Sequence, residues 1–293
     1  LKILLTGRTG QVGYELERSL QGLGEVVALD RGRMDLSNLD SVRNAIREVR
    51  PGLIVNPAAY TAVDQAESEP DLAMCVNGDA PGVMAEEAAR LGAAMIHYST
   101  DYVFDGTKTG AYTENDAPCP VNIYGRSKLA GEQAIQASGI PHLIFRTSWV
   151  YGSRGKNFLL TIKRLAQERD ELRIVHDQHG APTWCRTIAD ATAHVVARLC
   201  DARAKQMLDQ DLWRTHSGVY HLAAQGQTTW HGFAQTIITH RSVSKKPVTT
   251  PIKTQDYPLP APRPANSVLS CERFIGTFCG LPQWDDALRL CLE

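Results

Sequence analysis

The chain has 293 residues, with 31 Lys plus Arg against 32 Asp plus Glu, for a net charge of −1. That balance excludes a polybasic nucleic-acid or membrane-surface binder, and 43% hydrophobic with 22% charged residues excludes a disordered chain. No apolar run reaches the length of about eighteen residues that a spanning helix needs. Lys2-Ile3-Leu4-Leu5 is too short for the apolar stretch of a secretion signal, so a cytoplasmic protein is expected.

In chain order, short apolar runs alternate with helical patterns. Ile3–Leu5, Val26–Leu29, Leu53–Val55, Met95–Tyr98 and Leu143–Phe145 read as buried strands. Between them, helices are predicted over Gln11–Leu23, Asn38–Val49, Asp71–Leu91 and Tyr124–Ala137, with Ser37 as N-cap of the second and Pro70 in the first turn of the third. Strand and helix alternating this way give an α/β protein, a Rossmann-type doubly wound parallel sheet with helices on both faces. After Val150 the rhythm loosens. Two further strands, Arg173–Val175 and Val219–Leu222, are expected to return to the first sheet. Six of the fifteen prolines lie between Pro247 and Pro264, which predicts an irregular covering loop there. The division drawn is 1–150 for a dinucleotide-binding domain and 151–293 mainly for a smaller substrate-binding lobe.

The seven cysteines are odd in number and include no Cys-x-x-Cys pair. They read as free thiols in a reducing compartment, and no metal-ligand spacing is present.

Thr6-Gly7-Arg8-Thr9-Gly10-Gln11-Val12-Gly13 follows the first strand and opens a helix. Glycines three apart allow a tight turn, close approach of backbone N–H groups to a pyrophosphate, and helix packing on the strand. Asp30, expected at the end of the second strand, stands where an acidic side chain holds a ribose hydroxyl. Arg8, Arg31 and Arg33 are cations suited instead to a 2′-phosphate, so the residues leave NADPH and NADH both open.

Tyr124 and Lys128 are four residues apart, on one face of a helix. An ammonium beside a phenol lowers its pKa and equips it for acid–base work. Upstream, Tyr98-Ser99-Thr100-Asp101 closes a buried strand at the end where parallel sheets meet their ligands. His97 and His176, inside strand-like runs, read as packed or hydrogen-bonded rather than catalytic. Glu86-Glu87 reads as a solvated helix face.

Together, Gly7-x-x-Gly10-x-x-Gly13, Asn56-Pro-Ala-Ala59, Ser99-Thr100-Asp101 and Tyr124-x-x-x-Lys128 resemble the extended short-chain dehydrogenase/reductase superfamily. Longer stretches, His97–Phe104, Phe145–Tyr151, Asp177–Thr183 and Arg263–Ser267, resemble its dTDP-4-dehydrorhamnose reductase family, over essentially the whole chain. The resemblance implies NADPH- or NADH-dependent reduction of the C4 keto group of a nucleotide-linked 6-deoxy sugar, the last step in making dTDP-L-rhamnose. It implies Tyr124 as proton donor, Lys128 as holder of the nicotinamide ribose and Thr100 as hydrogen-bond partner of the reacting oxygen. Gly7, Gly10, Gln11, Val12 and Gly13 would meet the pyrophosphate, Asp30, Asp35 and Leu36 the adenosine end, and Ala59, Tyr60 and Thr61 the cofactor after the third strand. Val63, Asp101, Tyr102 and Trp149 would line the sugar site, Trp149 as a half-exposed stacking ring, with Arg263 on the diphosphate.

Dehydratases of this superfamily carry Thr-Asp-Glu after the strand; here Tyr102 replaces the carboxylate, which counts against water elimination. A non-catalytic subunit like that beside methionine adenosyltransferase would not need Tyr124, Lys128 and Thr100 together. Some members of the resembled family join subunits through Mg²⁺ on glutamates. Glu15 matches one of these, but Arg186 occupies the place of another, and a guanidinium is never a metal ligand. No magnesium is therefore expected, and a monomer or weak homodimer acting on a small molecule, without nucleic acid or membrane.

Overall fold

The computed structural model describes residues 1–201 and 207–293. Its centre is a six-stranded parallel sheet made of β1 (Lys2–Leu5), β2 (Glu25–Ala28), β3 (Leu53–Asn56), β4 (Ala94–Thr100), β5 (His142–Thr147) and the strand Gly218–His221. The spatial order is Gly218–His221, β5, β4, β3, β1, β2. The chain steps outward from β1 to β2 and then crosses back to β3. That reversal opens a crevice beyond the carboxyl ends of β1 and β3, the place where open α/β sheets take their ligands.

Side chains alternate between the two faces of the sheet. Ile3, Leu5, Leu53, Val55, Ile96 and Phe145 form one apolar cluster, covered by α1 (Gln11–Ser19) and the long helix Cys185–Leu199, which lie against each other. Leu4, Ile54, Met95 and Ile144 form the opposite cluster with α2 (Leu39–Val49) and the helix Ala80–Leu91.

Several local expectations are corrected. Asn38 caps α2, its Oδ1 accepting from the N–H groups of Asp40 and Ser41 at 3.1 Å each; Ser37 instead donates to Asp35 at 2.8 Å. The first helix is α-helical only to Ser19 and continues as a 3₁₀ turn, Gln21–Leu23. The single helix expected over Asp71–Leu91 is α4 (Pro70–Met74), a π-helical turn (Cys75–Asp79) and α5 (Ala80–Leu91), preceded by the short α3 (Val63–Ala66). Pro81 has no N–H to give to the residue four before it, so the ladder is interrupted there, and the π turn is the local answer. Glu87 is 1% exposed rather than solvated. Arg47 grips both its oxygens at 2.9 and 2.6 Å, and Arg90 joins at 2.5 Å.

In the second half, Gly218–His221 pairs with β5, whereas Glu171–Val175 does not return to the sheet. It pairs with Val248–Ile252 in a separate parallel ribbon, so the proline-rich stretch is not wholly irregular. Pro251 is tolerated because a two-stranded ribbon has edges on both sides. The ribbon packs with Leu159, Ile162, Phe233, Ile237 and Leu288 as a core of its own. His176, just beyond it, is exposed rather than packed.

Candidate active site

The glycine turn is built for close approach. Gly7 has φ +58°, a left-handed geometry that suits glycine, and its carbonyl accepts from Gly10 N–H at 2.9 Å. A methyl on Gly13 would lie 2.1 Å from that same oxygen, so neither position accepts a side chain. α1 then starts at Gln11 with no side chain capping its first turn. Its leading N–H groups point into the crevice as a ready anion site. Gln11 also accepts from Asn157 at 2.7 Å, tying this turn to the second half of the chain.

Asp30 lies two residues beyond the last residue of β2, not at its end. Its Oδ1 accepts from the backbone of Gly32 at 3.0 Å and Arg33 at 3.3 Å. Two of the three arginines already have partners: Arg8 makes two bonds to Glu17 at 2.7 and 3.2 Å, and Arg31 pairs with Asp35 at 3.4 Å. Ser37, through its N–H and hydroxyl, holds the Asp35 carboxyl below its ordinary pKa. Leu36 is buried beside it.

Beyond β3, Ala59, Tyr60 and Thr61 run along the crevice. Asn77, on the π turn, clamps Tyr60 from both sides, accepting from its N–H at 2.8 Å and donating to its carbonyl at 3.0 Å. Sequence reasoning missed Asn77, and the one local signal was Pro81 four residues later, which has no N–H to continue the α-helical ladder back to it. Tyr60 donates its hydroxyl to Glu69 at 2.7 Å; burial and that carboxylate push its pKa up to about 12.

The reacting corner lies where β4 ends. Thr100 Oγ1 accepts from Tyr102 N–H at 3.2 Å and donates to Asp101 Oδ1 at 2.9 Å. The helix α6 (Ile123–Ala137), capped by Asn122, brings Tyr124 edge-on to Tyr102 at 5.8 Å between ring centroids. Burial pushes the Tyr124 phenol up to about 12, the Thr100 hydroxyl beside it works downward, and the Asp101 charge works upward. Asp101 is 3% exposed, and its Oδ2 has no partner among the described residues. Burial raises its pKa to about 6, against the hydrogen bond from Thr100.

Lys128 turns its Nζ back to β4, donating to Tyr98 O at 2.6 Å and lying 3.1 Å from His97 Nε2. Burial lowers its pKa to about 8, with Glu132 working upward. His97 is buried and hydrogen-bonded, as expected, and burial with the nearby lysine holds it well below its ordinary value.

Arg263 reaches the same corner. It lies over the Tyr102 ring at 5.9 Å and donates to Asp64 at 2.8 Å and to Ala261 O at 3.0 Å. Asp64 follows Val63 at the start of α3, and Asn122 donates to Pro262 O at 2.9 Å. These ties hold the proline-rich segment against α3 and α6. Trp149 has a left-handed backbone, φ +46°, a strained conformation of the kind found at binding sites. One ring face is already stacked on Trp230 at 3.6 Å, and a methyl on Gly180 would sit 2.4 Å from the ring. Trp149 is thus a half-buried ring whose stacking partner within the chain is Trp230.

Sheet, glycine turn and the Tyr124–Lys128 helix define a Rossmann-type oxidoreductase. The family model described as RmlD substrate binding domain matches residues 1–293, and the chain belongs to that family. A dTDP-4-dehydrorhamnose reductase of Burkholderia thailandensis is 50% identical, with 100% of this chain and 98% of that protein covered. One from Salmonella typhimurium is 45% identical over 97% and 95%. Among solved structures, a dTDP-4-dehydrorhamnose reductase from Clostridium acetobutylicum superposes with TM-score 0.89 at 34% identity, covering 100% of this chain and 98% of that one. Another from Bacillus anthracis, in complex with NADP, gives 0.87 at 32%, covering 99% and 98%. Among the described residues, no helix is long and apolar enough to cross a membrane.

Proposed function

We propose that the chain reduces dTDP-4-dehydro-6-deoxy-L-mannose to dTDP-L-rhamnose with NADPH or NADH. The observation that carries this reading is the corner at the carboxyl end of β4 where Thr100 bonds buried Asp101 and Tyr124 stands edge-on to Tyr102. A nicotinamide cofactor fits the residues present, since the uncapped first turn of α1 and the closely packed Gly7 and Gly13 form a pyrophosphate cradle. When bound, the cofactor supplies the hydride. Gly10, Gln11 and Val12 hold its pyrophosphate, Asp30, Asp35 and Leu36 its adenosine end, and Ala59, Tyr60 and Thr61 flank it.

The protein's own groups do the rest. With its pKa near 12, Tyr124 carries its proton at neutral pH and delivers it to the sugar oxygen as negative charge develops there. Thr100 hydrogen-bonds that oxygen, and Lys128 offers an N–H to the nicotinamide ribose. Val63, Asp101, Tyr102 and Trp149 border the sugar, and Arg263 exchanges Asp64 for the sugar's diphosphate, a bidentate partner suited to its planar guanidinium. In this reading residues 1–150 mainly hold the cofactor and 151–293 mainly the substrate. No magnesium bridges subunits, and the chain is a monomer or weak dimer. Incubation with dTDP-4-dehydro-6-deoxy-L-mannose should consume reduced nicotinamide, followed by absorbance, with NADPH and NADH in parallel. Efficiencies within about a hundredfold, or ~3 kcal/mol, are expected because Asp30 disfavours a 2′-phosphate and the arginines Arg8 and Arg31 offset that cost by charge-assisted hydrogen bonds. No consumption with either cofactor rejects the reading.

A further inference from the structure

Four buried polar side chains run in an unbroken line beneath the crevice, from Lys128 to the glycine turn. Lys128 Nζ lies 3.1 Å from His97 Nε2, and His97 Nδ1 lies 3.1 Å from the Asn56 amide. The far end of that amide is 2.6 Å from Thr6 Oγ1, which accepts from Ala58 N–H at 3.3 Å. None of the four is more than 1% exposed. Polar groups buried so completely must satisfy one another, because water does not reach them.

The donors and acceptors permit two directions only. With Thr6 donating to Asn56 Oδ1 and the amide N–H donating to His97 Nδ1, the imidazole proton sits on Nε2. That proton then points at Nζ and needs a lone pair, which only an uncharged Lys128 has. An ammonium donates and never accepts. Charged Lys128 therefore makes Nε2 the acceptor, places the imidazole proton on Nδ1, and turns the Asn56 amide over so that its oxygen receives that proton and its N–H faces Thr6.

We propose that His97 is a positioning residue for Lys128, one link in a chain of hydrogen bonds whose direction reverses with the charge on the lysine. Two of the three ammonium N–H bonds are then fixed inside the protein, on Tyr98 O and His97 Nε2, and the third is left to face the cofactor ribose. The other end of the chain braces the turn at Gly7, whose Cα would carry a methyl only 2.9 Å from Ala58. The two halves of the cofactor site are thereby set by one network. The titratable and charged groups around Lys128 are few. On β4 stand His97 and Tyr98, and on its own helix Tyr124 and Glu132. Arg146 of β5 holds both Glu132 oxygens at 2.9 and 2.6 Å. A lysine whose pKa lies near 8 changes charge within a pH range where binding is measured easily.

The proposal rests on Lys128 facing the cofactor, so the test reads cofactor binding and requires no sugar turnover. NADPH fluorescence titrations of the whole chain between pH 6.5 and 9.5 should show weakening as Lys128 loses its proton. His97→Leu removes the acceptor, so the ammonium is less well held: binding at pH 7 should weaken about tenfold, the worth of one charge-assisted hydrogen bond, and the alkaline transition should move down. His97→Gln keeps an acceptor oxygen near the Nε2 position and should recover most of the affinity. Asn56→Asp fixes an acceptor against Nδ1–H, which favours the charged-lysine direction, and should move the transition up. Opposite shifts in His97→Leu and Asn56→Asp are the expected result. Equal weakening in His97→Leu and His97→Gln with an unmoved transition would mean packing alone and overturn the proposal. Should His97→Leu not fold, an unmoved transition in Asn56→Asp overturns it equally. Lack of any NADPH binding by the unmodified chain would instead reject the cofactor reading itself.

Discussion

The two faces of the central sheet are alike near the amino ends of the strands and opposite in character near the carboxyl ends. On the α1 side, Leu5, Val55, Ile96, Tyr98, Phe145 and Tyr220 stay in one apolar cluster along the full strand length. On the α6 side, Leu4, Ile54, Met95, Ile144 and Val219 are apolar, but two residues further along each strand stand Thr6, Asn56, His97, Arg146 and His221, all buried. Because Cβ direction alternates, one step of two residues separates a structural layer from a polar one. The molecule thus sets a buried polar layer on one face at one end, while the opposite face stays apolar further along the same strands, until Thr100 closes β4. A buried polar group costs free energy unless its bonds are made: α6 supplies Lys128 to His97 and Glu132 to Arg146, Thr6 and Asn56 bond each other, and His221 meets the carbonyl of Ser270.

Two substitutions should separate the faces cleanly. Tyr124→Phe, at the polar end, should lower turnover by about 10²–10⁴, the usual effect of a positioned general acid. NADPH binding and the thermal midpoint should stay near those of the unmodified chain. Unchanged turnover would remove Tyr124 as proton donor. Phe145→Ala, on the apolar face, should do the reverse. Phe145 is fully buried, with Tyr98 and Phe274 edge-on at 5.9 and 5.7 Å. Its truncation should cost about 3–5 kcal/mol in denaturant unfolding, with KM and turnover little changed where the protein is folded. A large loss of turnover with unchanged stability would show that the two faces are not independent.

Much of this division was legible in the sequence. Ile3-Leu4-Leu5 and Leu53-Ile54-Val55 were readable as buried strands, and the glycine turn and Tyr124–Lys128 as a site, because each is a local pattern. The polar layer was written there too, in His97 between Ile96 and Tyr98, but a strand buried on both faces reads as one continuous run and hides its period of two. What could not be read was long-range. Arg263 meets Asp64 across 199 positions, and Val248–Ile252 pairs with Glu171–Val175 across some 77, since Val248 stands opposite Glu171. No local periodicity encodes either pairing. The partners of Lys128 were hidden for a related reason. Helical spacing places it near Tyr124, but the carbonyl of Tyr98 and the ring of His97 that hold its Nζ lie on another element.

Asp101 sharpens the comparison, because it is a polar-end residue that the fold holds at a cost. Its pKa is raised to about 6 from 3.8, so the fold binds its proton more readily than the unfolded chain does. The sign follows: this contribution to stability is fully present below about pH 4 and is lost as pH rises through 6. Asp101→Asn keeps an oxygen to accept from Thr100 and has no charge to bury. It should be more stable than the unmodified chain at pH 7.5 by about 1–3 kcal/mol, with the advantage vanishing near pH 4, while reduction is slowed. Thermal unfolding at the two pH values checks this. Equal stability at pH 7.5 would mean that Asp101 is not held against its charge.

The smallest effect belongs to the outer surface of the apolar face, where α1 and the helix Cys185–Leu199 lie side by side. Glu15 and Arg186 stand on these two helices. Arg186 pairs with Asp190 at 3.5 Å, and Asp190 also accepts from Ser19 at 2.7 Å, so the arginine is engaged within its own chain. A hard cation needs several oxygen ligands, and a guanidinium in place of a carboxylate both withholds one and repels the ion. An exposed pair between Arg186 and Glu15 of a second copy would contribute only ~0–1 kcal/mol, too little to hold a dimer. The polar face should therefore respond to substitution and this surface should not respond to metal removal. Sedimentation with and without EDTA should give the same mass. A stable dimer that dissociates on chelation would show that magnesium binds here despite Arg186. In that case Arg186→Glu, which supplies the missing carboxylate, should tighten the dimer further; if the mass is unaffected by chelator, the same substitution with added Mg²⁺ becomes the way to create a metal-dependent dimer where none existed.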